Sequence, residues 1–268
     1  MSRLSRRSAI VRLLAAAAAP LGLQALAQLD PARAFAQEAP PVAGSGEAAE
    51  PPAAPRPLED GHYFYSLQGP EDGPLSTGPT RNSYGTEIGY ATFDSGTFLI
   101  HHNYDRHLLS AEWIASRIGA FSIKDGAILV EALGELNDQG CFALELRHQA
   151  YKDRRYIRAN WLSLDPPTGT VAIGTDGIWG EMDNVARAVG VEAVRPPGEW
   201  NTFLFTAQGS HFEGWVNGVK AVEGEDDHFG AGRISLITMR MNKAPYQVRF
   251  RNLHIWDGAP PDPTTLWS

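Results

Sequence analysis

Side chains that hydrogen-bond well to hydroxyl groups recur at alternate positions of two neighbouring segments, "CFALELRH" (141–148) and "RYIRANWLS" (155–163). They are Glu145, Arg147, Tyr156, Arg158 and Asn160. If both segments are β-strands, each set lies on one face, because successive side chains of a strand point to opposite sides. The short connection between them favours an antiparallel hairpin. That pairing would suit a polyhydroxylated ligand; the alternative is a solvated face crossed by weak ion pairs.

A second segment places a large indole on a polar strand face. "SHFEGWVNGVKAV" (210–222) predicts two strands around an Asn-Gly turn, with Trp215 on the same side as Glu213 and His211. An exposed indole can stack on the C–H face of a sugar while neighbouring polar groups bind hydroxyls. The alternative is that a loop covers the indole.

The two observations together predict one ligand-binding face. Its members are Trp215, Glu213, Glu145, Arg147, Tyr156, Arg158 and Asn160. The sequence indicates no catalytic residue, and we expect neither a metal nor a cofactor. The acidic run "EGEDDHF" (223–229) is interpreted as a solvated turn, and calcium binding there stays open because its spacing fits no known calcium loop.

The elements that would position these residues are strands. From residue 87 to 256 the chain contains short segments rich in β-branched and aromatic residues, separated by Gly, Pro, Asp or Asn. Only 181–194 suits a helix, and a loop followed by a strand suits it equally. We therefore predict an all-β, antiparallel two-sheet sandwich. The predicted core residues are Phe142, Leu144, Val216, Ile234, Leu236, Val248 and Phe250.

The N-terminal part of the sequence differs from the rest. Residues 1–36 have a basic head, an Ala/Leu-rich run and a final "AFA", which is typical of an export signal cleaved after Ala36. Arg6-Arg7 resembles a twin-arginine signal, although an ordinary secretory signal remains an alternative. Residues 37–58, rich in Pro and Ala, are predicted to be a disordered linker. The sandwich would then occupy 59–268, and the protein would be exported.

Composition and charge restrict the partners. The chain is 43% hydrophobic, which is ordinary for a globular protein. Without residues 1–36, 18 basic residues face 30 acidic ones, a net charge of −12. That charge argues against nucleic acid and anionic membranes as partners, and we expect no stable membrane insertion of the mature chain. The one cysteine, Cys141, alternates with apolar residues and predicts a buried, inert thiol.

The C-terminal half resembles a known family. "PGEWNTFLFTAQGSHFEGWVNGVKAVEG", "GRISLI" and "QVRFRNLHIW" look like the last strands of concanavalin-like jelly rolls, and "FSIKDGAILVE" and "CFALELRHQ" look like earlier ones. The similarity runs from about 113 to 256 and points to the 3-keto-disaccharide hydrolase family and to exported laminin-G-like domains. It implies a curved sandwich whose concave face often binds saccharides. Residues 59–112 have no counterpart in it.

One departure from that family bears on function. Where the family commonly carries a Gln-Asp-His-Gly-like run after its "GxIxL" strand, this sequence reads "ITMR" (237–240). The polar residues that the family carries at these positions are absent here, whereas the strand pattern that implies its fold is retained. We therefore expect a non-catalytic exported domain that binds a saccharide or another surface ligand. The alternative is a glycoside hydrolase acting on 3-keto-glycosides or related glycosides, using Glu145, Glu213 or an acid from 59–112.

Overall fold

The structure is a computed structural model of the 268-residue chain. It describes residues 57–59, 61–72, 75–81, 87–103, 112–135, 140–150, 157–176, 182–240 and 245–267. The predicted export signal, almost all of the predicted linker, and Tyr156 lie outside the described residues.

The described residues form sixteen strands and two single-turn 3-10 helices. The strands are β1 (Pro57–Glu59), β2 (His62–Tyr65), β3 (Gly78–Arg81), β4 (Glu87–Asp94), β5 (Thr97–His102), β6 (Glu112–Ile123), β7 (Gly126–Glu135), β8 (Gly140–Ala150), β9 (Ile157–Asp165), β10 (Thr170–Asp176), β11 (Met182–Ala188), β12 (Asn201–Gln208), β13 (His211–Val216), β14 (Val219–Glu225), β15 (Gly232–Arg240) and β16 (Tyr246–Asp257). The 3-10 helices are Pro70–Asp72 and Pro263–Thr265.

The strands form two antiparallel sheets. Sheet A has ten strands: eight follow the order β14-β13-β12-β7-β16-β5-β4-β3, and β2 joins β16 and carries β1. Sheet B has six strands in the order β11-β10-β9-β8-β15-β6. The predicted all-β, two-sheet architecture is confirmed.

The core lies between the two sheets and follows from strand alternation. In β13, Phe212 and Val216 are fully buried in the core, whereas His211, Glu213 and Trp215 alternate with them on the outside. All seven predicted core residues are fully buried, as predicted. We call the face of each sheet that is turned away from this core its outer face.

The Asn-Gly turn forms the predicted hairpin. Asn217 has φ 48° and Gly218 has φ 86°, so both central residues are left-handed, as a tight two-residue hairpin turn requires. The Asn217 side chain holds the turn because its Oδ1 accepts from Thr202 N at 2.8 Å and its Nδ2 donates to Ala193 O at 2.7 Å. The turn connects β13 to β14, whose pairing shifts register between Gly214 and Trp215.

The two segments that the sequence left open are strands. The region 59–112, which had no counterpart in the family resemblance, supplies β2–β5 and thereby one side of sheet A. The segment 181–194 forms edge strand β11 followed by irregular chain, which agrees with the loop-and-strand alternative rather than the helix. Among the described residues, no helix is long and apolar enough to cross a membrane.

Candidate functional site on sheet B

The predicted single binding face is wrong. Trp215 and Glu213 lie in β13 of sheet A, whereas Glu145, Arg147, Arg158 and Asn160 lie in β8 and β9 of sheet B. Sequence periodicity assigns a residue to one face of its own strand, but it does not say which sheet that strand joins. For Arg158 the structure gives only the strand position, opposite Gln149.

Arg147 points into the end of the sandwich instead of outward. Its φ of 57° is left-handed, and the strand register shifts between Leu146 and Gln149, so the alternation of β8 breaks at this bulge. The side chain is 1% exposed; its Nε donates to Lys124 O at 2.7 Å and an Nη to Gly209 O at 2.6 Å. Arg147 therefore links the turn after β6 to the turn after β12 by hydrogen bonds.

Asn160 also faces inward. It lies opposite the core residue Leu146 and donates to Asp226 Oδ2 at 2.5 Å, and Thr175 donates to the same oxygen at 2.9 Å. The sequence assigned the wrong phase to β9, because its polar positions, rather than Trp161, were taken to face away from the core.

The acidic loop is only partly a solvated turn. Asp226 is 6% exposed, while Asp227 and His228 are exposed. Burial acts to raise the pKa of Asp226, but hydrogen bonds from His228, Thr175 and Asn160 outweigh it and lower that pKa. Both carboxylate oxygens accept protein donors, so Asp226 fastens the loop to the sandwich.

A different set of residues meets on the outer face of sheet B. Glu145 lies directly opposite Trp161 of β9 on one side and Ser235 of β15 on the other. Trp161 is 6% exposed, and its indole lies across Gly174 of β10, where a Cβ atom would come within 2.0 Å of the ring. A glycine at this position is what allows the indole to lie flat on the sheet.

His148 joins this set because of the bulge. Residues three apart in a regular strand point to opposite faces, but the irregularity at Arg147 brings His148 Nδ1 within 2.7 Å of Glu145 Oε2. Both side chains are buried, at 2% and 3% exposed. Within the described residues, His148 Nε2 and Ser235 Oγ are buried without a hydrogen-bond partner.

We call Glu145, His148, Trp161 and Ser235 the sheet B site. When Nδ1 of a neutral imidazole donates to a carboxylate, the lone pair of Nε2 is free to accept a proton or a hydrogen bond. A hydrogen bond from Nδ1 to Glu145 Oε2 would fix this tautomer and the orientation of the ring. The site therefore combines an aromatic ring, a carboxylate–imidazole pair and a hydroxyl, all of them buried.

Sequence reasoning found one of these four residues and missed three. Glu145 was placed correctly on the outer face. Trp161 was assigned to the core side. The one sequence signal for its position is the glycine at 174, opposite Trp161, which leaves room for the indole. His148 could not be found by alternation, because the bulge that turns it outward breaks the period.

Trp215 lies on the outer face of sheet A, together with Glu213 as predicted. Its Nε1 donates to Glu213 Oε2 at 3.0 Å, and the indole packs with Leu266 and Trp267, so it is partly covered. Burial acts to raise the pKa of Glu213, but hydrogen bonds from Trp215 and Lys220 lower it overall. The carboxylate stays ionised on this surface.

The sequence comparison finds a family match over part of the chain. Residues 164–256 match the family described as the 3-keto-alpha-glucoside-1,2-lyase-like domain. This confirms the family resemblance, although the match begins at the end of β9 rather than near residue 113. It includes Ser235 but not Glu145, His148 or Trp161. No curated protein matches the sequence.

Solved structures confirm the concanavalin-like jelly-roll sandwich. A structure described as a native glycosidic hydrolase is 11% identical and covers 76% of this chain and 100% of its own, with a TM-score of 0.56. A Bacillus licheniformis β-glucanase is 9% identical, with 74% and 98% covered and a TM-score of 0.55. A Bacillus subtilis protein of unknown function with a galectin-like fold is 13% identical, with 74% and 96% covered and a TM-score of 0.53.

Proposed function

We propose that this protein binds a saccharide on the outer face of sheet B. The observation that carries the proposal is the flat indole of Trp161 beside a buried Glu145–His148 pair whose Nε2 has no described partner. A sugar needs both an apolar surface for its C–H face and fixed polar groups for its hydroxyls. The match to a 3-keto-glucoside family supports the same ligand class.

The test compares two tryptophans of the same chain. A glycan array carrying α-glucosides and β-glucan oligosaccharides identifies a ligand, and calorimetric titration then measures its affinity for Trp161→Ala and Trp215→Ala. Loss of the stacking surface should weaken binding by about 1–3 kcal/mol for Trp161→Ala, by analogy with aromatic platforms elsewhere. Trp215→Ala, on the other sheet, should change affinity less than twofold.

Thermal unfolding of both variants shows whether the domain remains folded. Trp161→Phe is the second variant, since it keeps an aromatic ring and should retain most of the affinity. If folded Trp161→Ala binds as the wild type does, the ligand does not lie on this face.

A second function is suggested by the contact between His148 and Glu145. If the ligand is a 3-keto-glycoside, the C2 proton next to its carbonyl is acidic, and a neutral His148 that donates from Nδ1 to Glu145 would act as the base through Nε2. Transfer of that proton to Nε2 would form the C1=C2 double bond as the C1–O bond breaks, and the departing alkoxide would take up a proton to leave as an alcohol. Glu145 would stabilise the imidazolium formed in between.

This second function has its own assay. The wild type should release methanol from methyl 3-keto-α-glucoside but not from methyl α-glucoside, which lacks the acidifying carbonyl. His148→Asn should lower kcat at least 100-fold, the lower end of what general base catalysis contributes. Saccharide binding without methanol release would leave the binding function alone standing.

Export forms part of the proposal. The basic head and "AFA" of residues 1–36 support it. We place the mature domain beyond the cytoplasmic membrane, where it would meet saccharides from outside the cell.

A further inference from the structure

The outer face of β13 and β14 carries a group of possible nitrogen and oxygen ligands. These strands belong to sheet A and not to the sheet that carries the sheet B site. His211 and Glu213 alternate on β13, and Glu223 lies directly opposite Glu213 on β14. One possible ligand atom from each of the three lies within 4.8 Å of the other two. We call His211, Glu213, Lys220 and Glu223 the hairpin cluster.

The two carboxylates of this cluster face each other directly. Like charges at opposed positions of an antiparallel pair repel, so a cation between them stabilises the arrangement. Lys220 supplies one: its Nζ lies 2.5 Å from Glu223 and 3.3 Å from Glu213. The lysine is 41% exposed at its side chain and its flexible stem can swing into solvent without disturbing the strands.

The imidazole makes the cluster more than a carboxylate pair. His211 Nε2 lies 3.5 Å from Glu213 Oε1, and Nδ1 lies 2.9 Å from Glu225 Oε1. One imidazole nitrogen with two carboxylates suits zinc and its transition-metal neighbours. Calcium and magnesium prefer oxygen ligands alone, so the histidine distinguishes the two classes of ion.

We propose that His211, Glu213 and Glu223 bind a divalent transition-metal ion such as Zn²⁺, and that Lys220 is the cation the ion displaces. His211, Glu213 and Glu223 lie on directly paired positions of β13 and β14, beyond the irregularity at Gly214 and Trp215, so their side chains start from hydrogen-bonded backbone. Trp215 reports on the site, because its Nε1 donates to a carboxylate oxygen of Glu213. The inference is independent of the saccharide proposal.

The experiment titrates ZnCl₂ into the full-length chain and follows heat and tryptophan fluorescence. We expect one ion per chain and a fluorescence change that Trp215→Phe abolishes without loss of binding. His211→Asn and Glu223→Gln should each weaken Zn²⁺ binding at least tenfold. Lys220→Met, which removes the competing charge but keeps the stem, should tighten binding at least threefold.

Matched controls separate this site from other histidines and carboxylates. His228→Asn changes the exposed histidine of the neighbouring acidic loop and should leave Zn²⁺ affinity within twofold. CaCl₂ in place of ZnCl₂ should give no saturable signal. Absorption of the Co²⁺-loaded chain should show ligand-field bands that His211→Asn removes.

Three results would overturn the proposal. One is Zn²⁺ binding that resists both His211→Asn and Glu223→Gln. Another is binding that His228→Asn abolishes, since the ion would then belong to the acidic loop. The third is weaker binding by Lys220→Met, because the lysine would then not be the ion's competitor. Trp161→Ala should leave Zn²⁺ binding unchanged, so failure of the saccharide proposal leaves this test intact.

Discussion

At the scale of single residues, one bulge decides the composition of the sheet B site. The left-handed φ of Arg147 turns its own side chain inward and places His148 next to Glu145 on the outer face. Gly232 makes room for it, since a Cβ there would lie 2.4 Å from the Arg147 backbone. The same local change therefore removes one predicted binding residue and supplies another.

The structural role of Arg147 can be tested directly. Arg147→Ala should lower the free energy of unfolding by about 1–3 kcal/mol, because the carbonyls of Lys124 and Gly209 lose a charged donor. Urea denaturation at equilibrium measures the loss. Arg233→Ala, at an exposed position of β15, should stay within about 0.5 kcal/mol of the wild type. Equal stability of both variants would contradict the role assigned to Arg147.

A second residue links stability to pH. His254, on the outer face of sheet A, stacks on Trp256 and lies 3.1 Å from His62 across the ring nitrogens. Burial chiefly, and then His62, lowers the pKa of His254 to about 4, with Glu131 acting in the opposite direction. The unfolded histidine titrates near 6.5. Between these values the unfolded chain binds a proton that the folded chain does not.

The stability that neutral His254 contributes is therefore complete above about pH 6.5 and falls as the pH drops towards about 4. His254→Phe should show a shallower fall in the free energy of unfolding between pH 7 and 5, as measured by denaturant titration at each pH. The comparison with the wild type cancels the titration of other groups. Identical slopes in the two proteins would mean that His254 protonates equally when folded and unfolded.

At the scale of elements, the segment after β16 packs over part of the outer face of sheet A. The 3-10 helix Pro263–Thr265 begins with a cap in which Asp262 Oδ1 accepts from Thr264 N at 2.9 Å. Leu266 and Trp267, which follow it, pack with Trp215 on a small cluster around Leu129 and Leu204. Trp267 also lies over the hairpin turn, 3.3 Å from where a Cβ on Gly218 would be.

This packing predicts the effect of removing the last indole. Trp267→Ala should destabilise the domain by about 2 kcal/mol, less than the loss of a fully buried aromatic ring, because Trp267 is only partly buried. Thermal and urea unfolding measure the loss, and tryptophan emission should shift to the red as Trp215 gains solvent. Unchanged stability would show that the segment after β16 adds nothing to sheet A.

At the scale of the whole molecule, the two sheets divide the surface between two kinds of chemistry. The outer face of sheet B combines the buried Glu145–His148 pair with the Trp161 ring. The outer face of sheet A carries the hairpin cluster and the stacked rings of His62 and Trp256. If residues 1–36 are removed, the remaining net charge of −12 does not favour binding to polyanions.

Export and cleavage of the chain can be tested by expression. Expressed in a bacterium with an active twin-arginine pathway, the chain should yield a mature form that begins at Gln37, as determined by intact mass. Changing both Arg6 and Arg7 to Lys should retain the precursor inside the cell. Unchanged export of the double variant would favour the ordinary secretory route, and a mature form that still begins at Met1 would contradict cleavage altogether.

The sequence by itself determined the strands from residue 87 onward, the Asn217-Gly218 turn and most of the core, but not the phase of β9. Each of these depends on contacts within a few residues: alternation selects Leu144 and Phe250 for the interior, and Asn217-Gly218 adopts a backbone shape that few other pairs tolerate. Three of the seven residues in the binding prediction had the same local basis, since Glu145, Glu213 and Trp215 do lie on outer faces.

Only the tertiary structure decided which of these residues meet. Strand pairing placed Trp215 and Glu145 in different sheets, and pairing is set by packing between segments far apart in the chain. At the bulge, the Arg147 side chain donates to Lys124 O and Gly209 O, which are distant in sequence. The residues next to Arg147 in the sequence therefore do not predict the bulge. His148 and Trp161 thus entered the sheet B site through long-range contacts, which local periodicity does not contain.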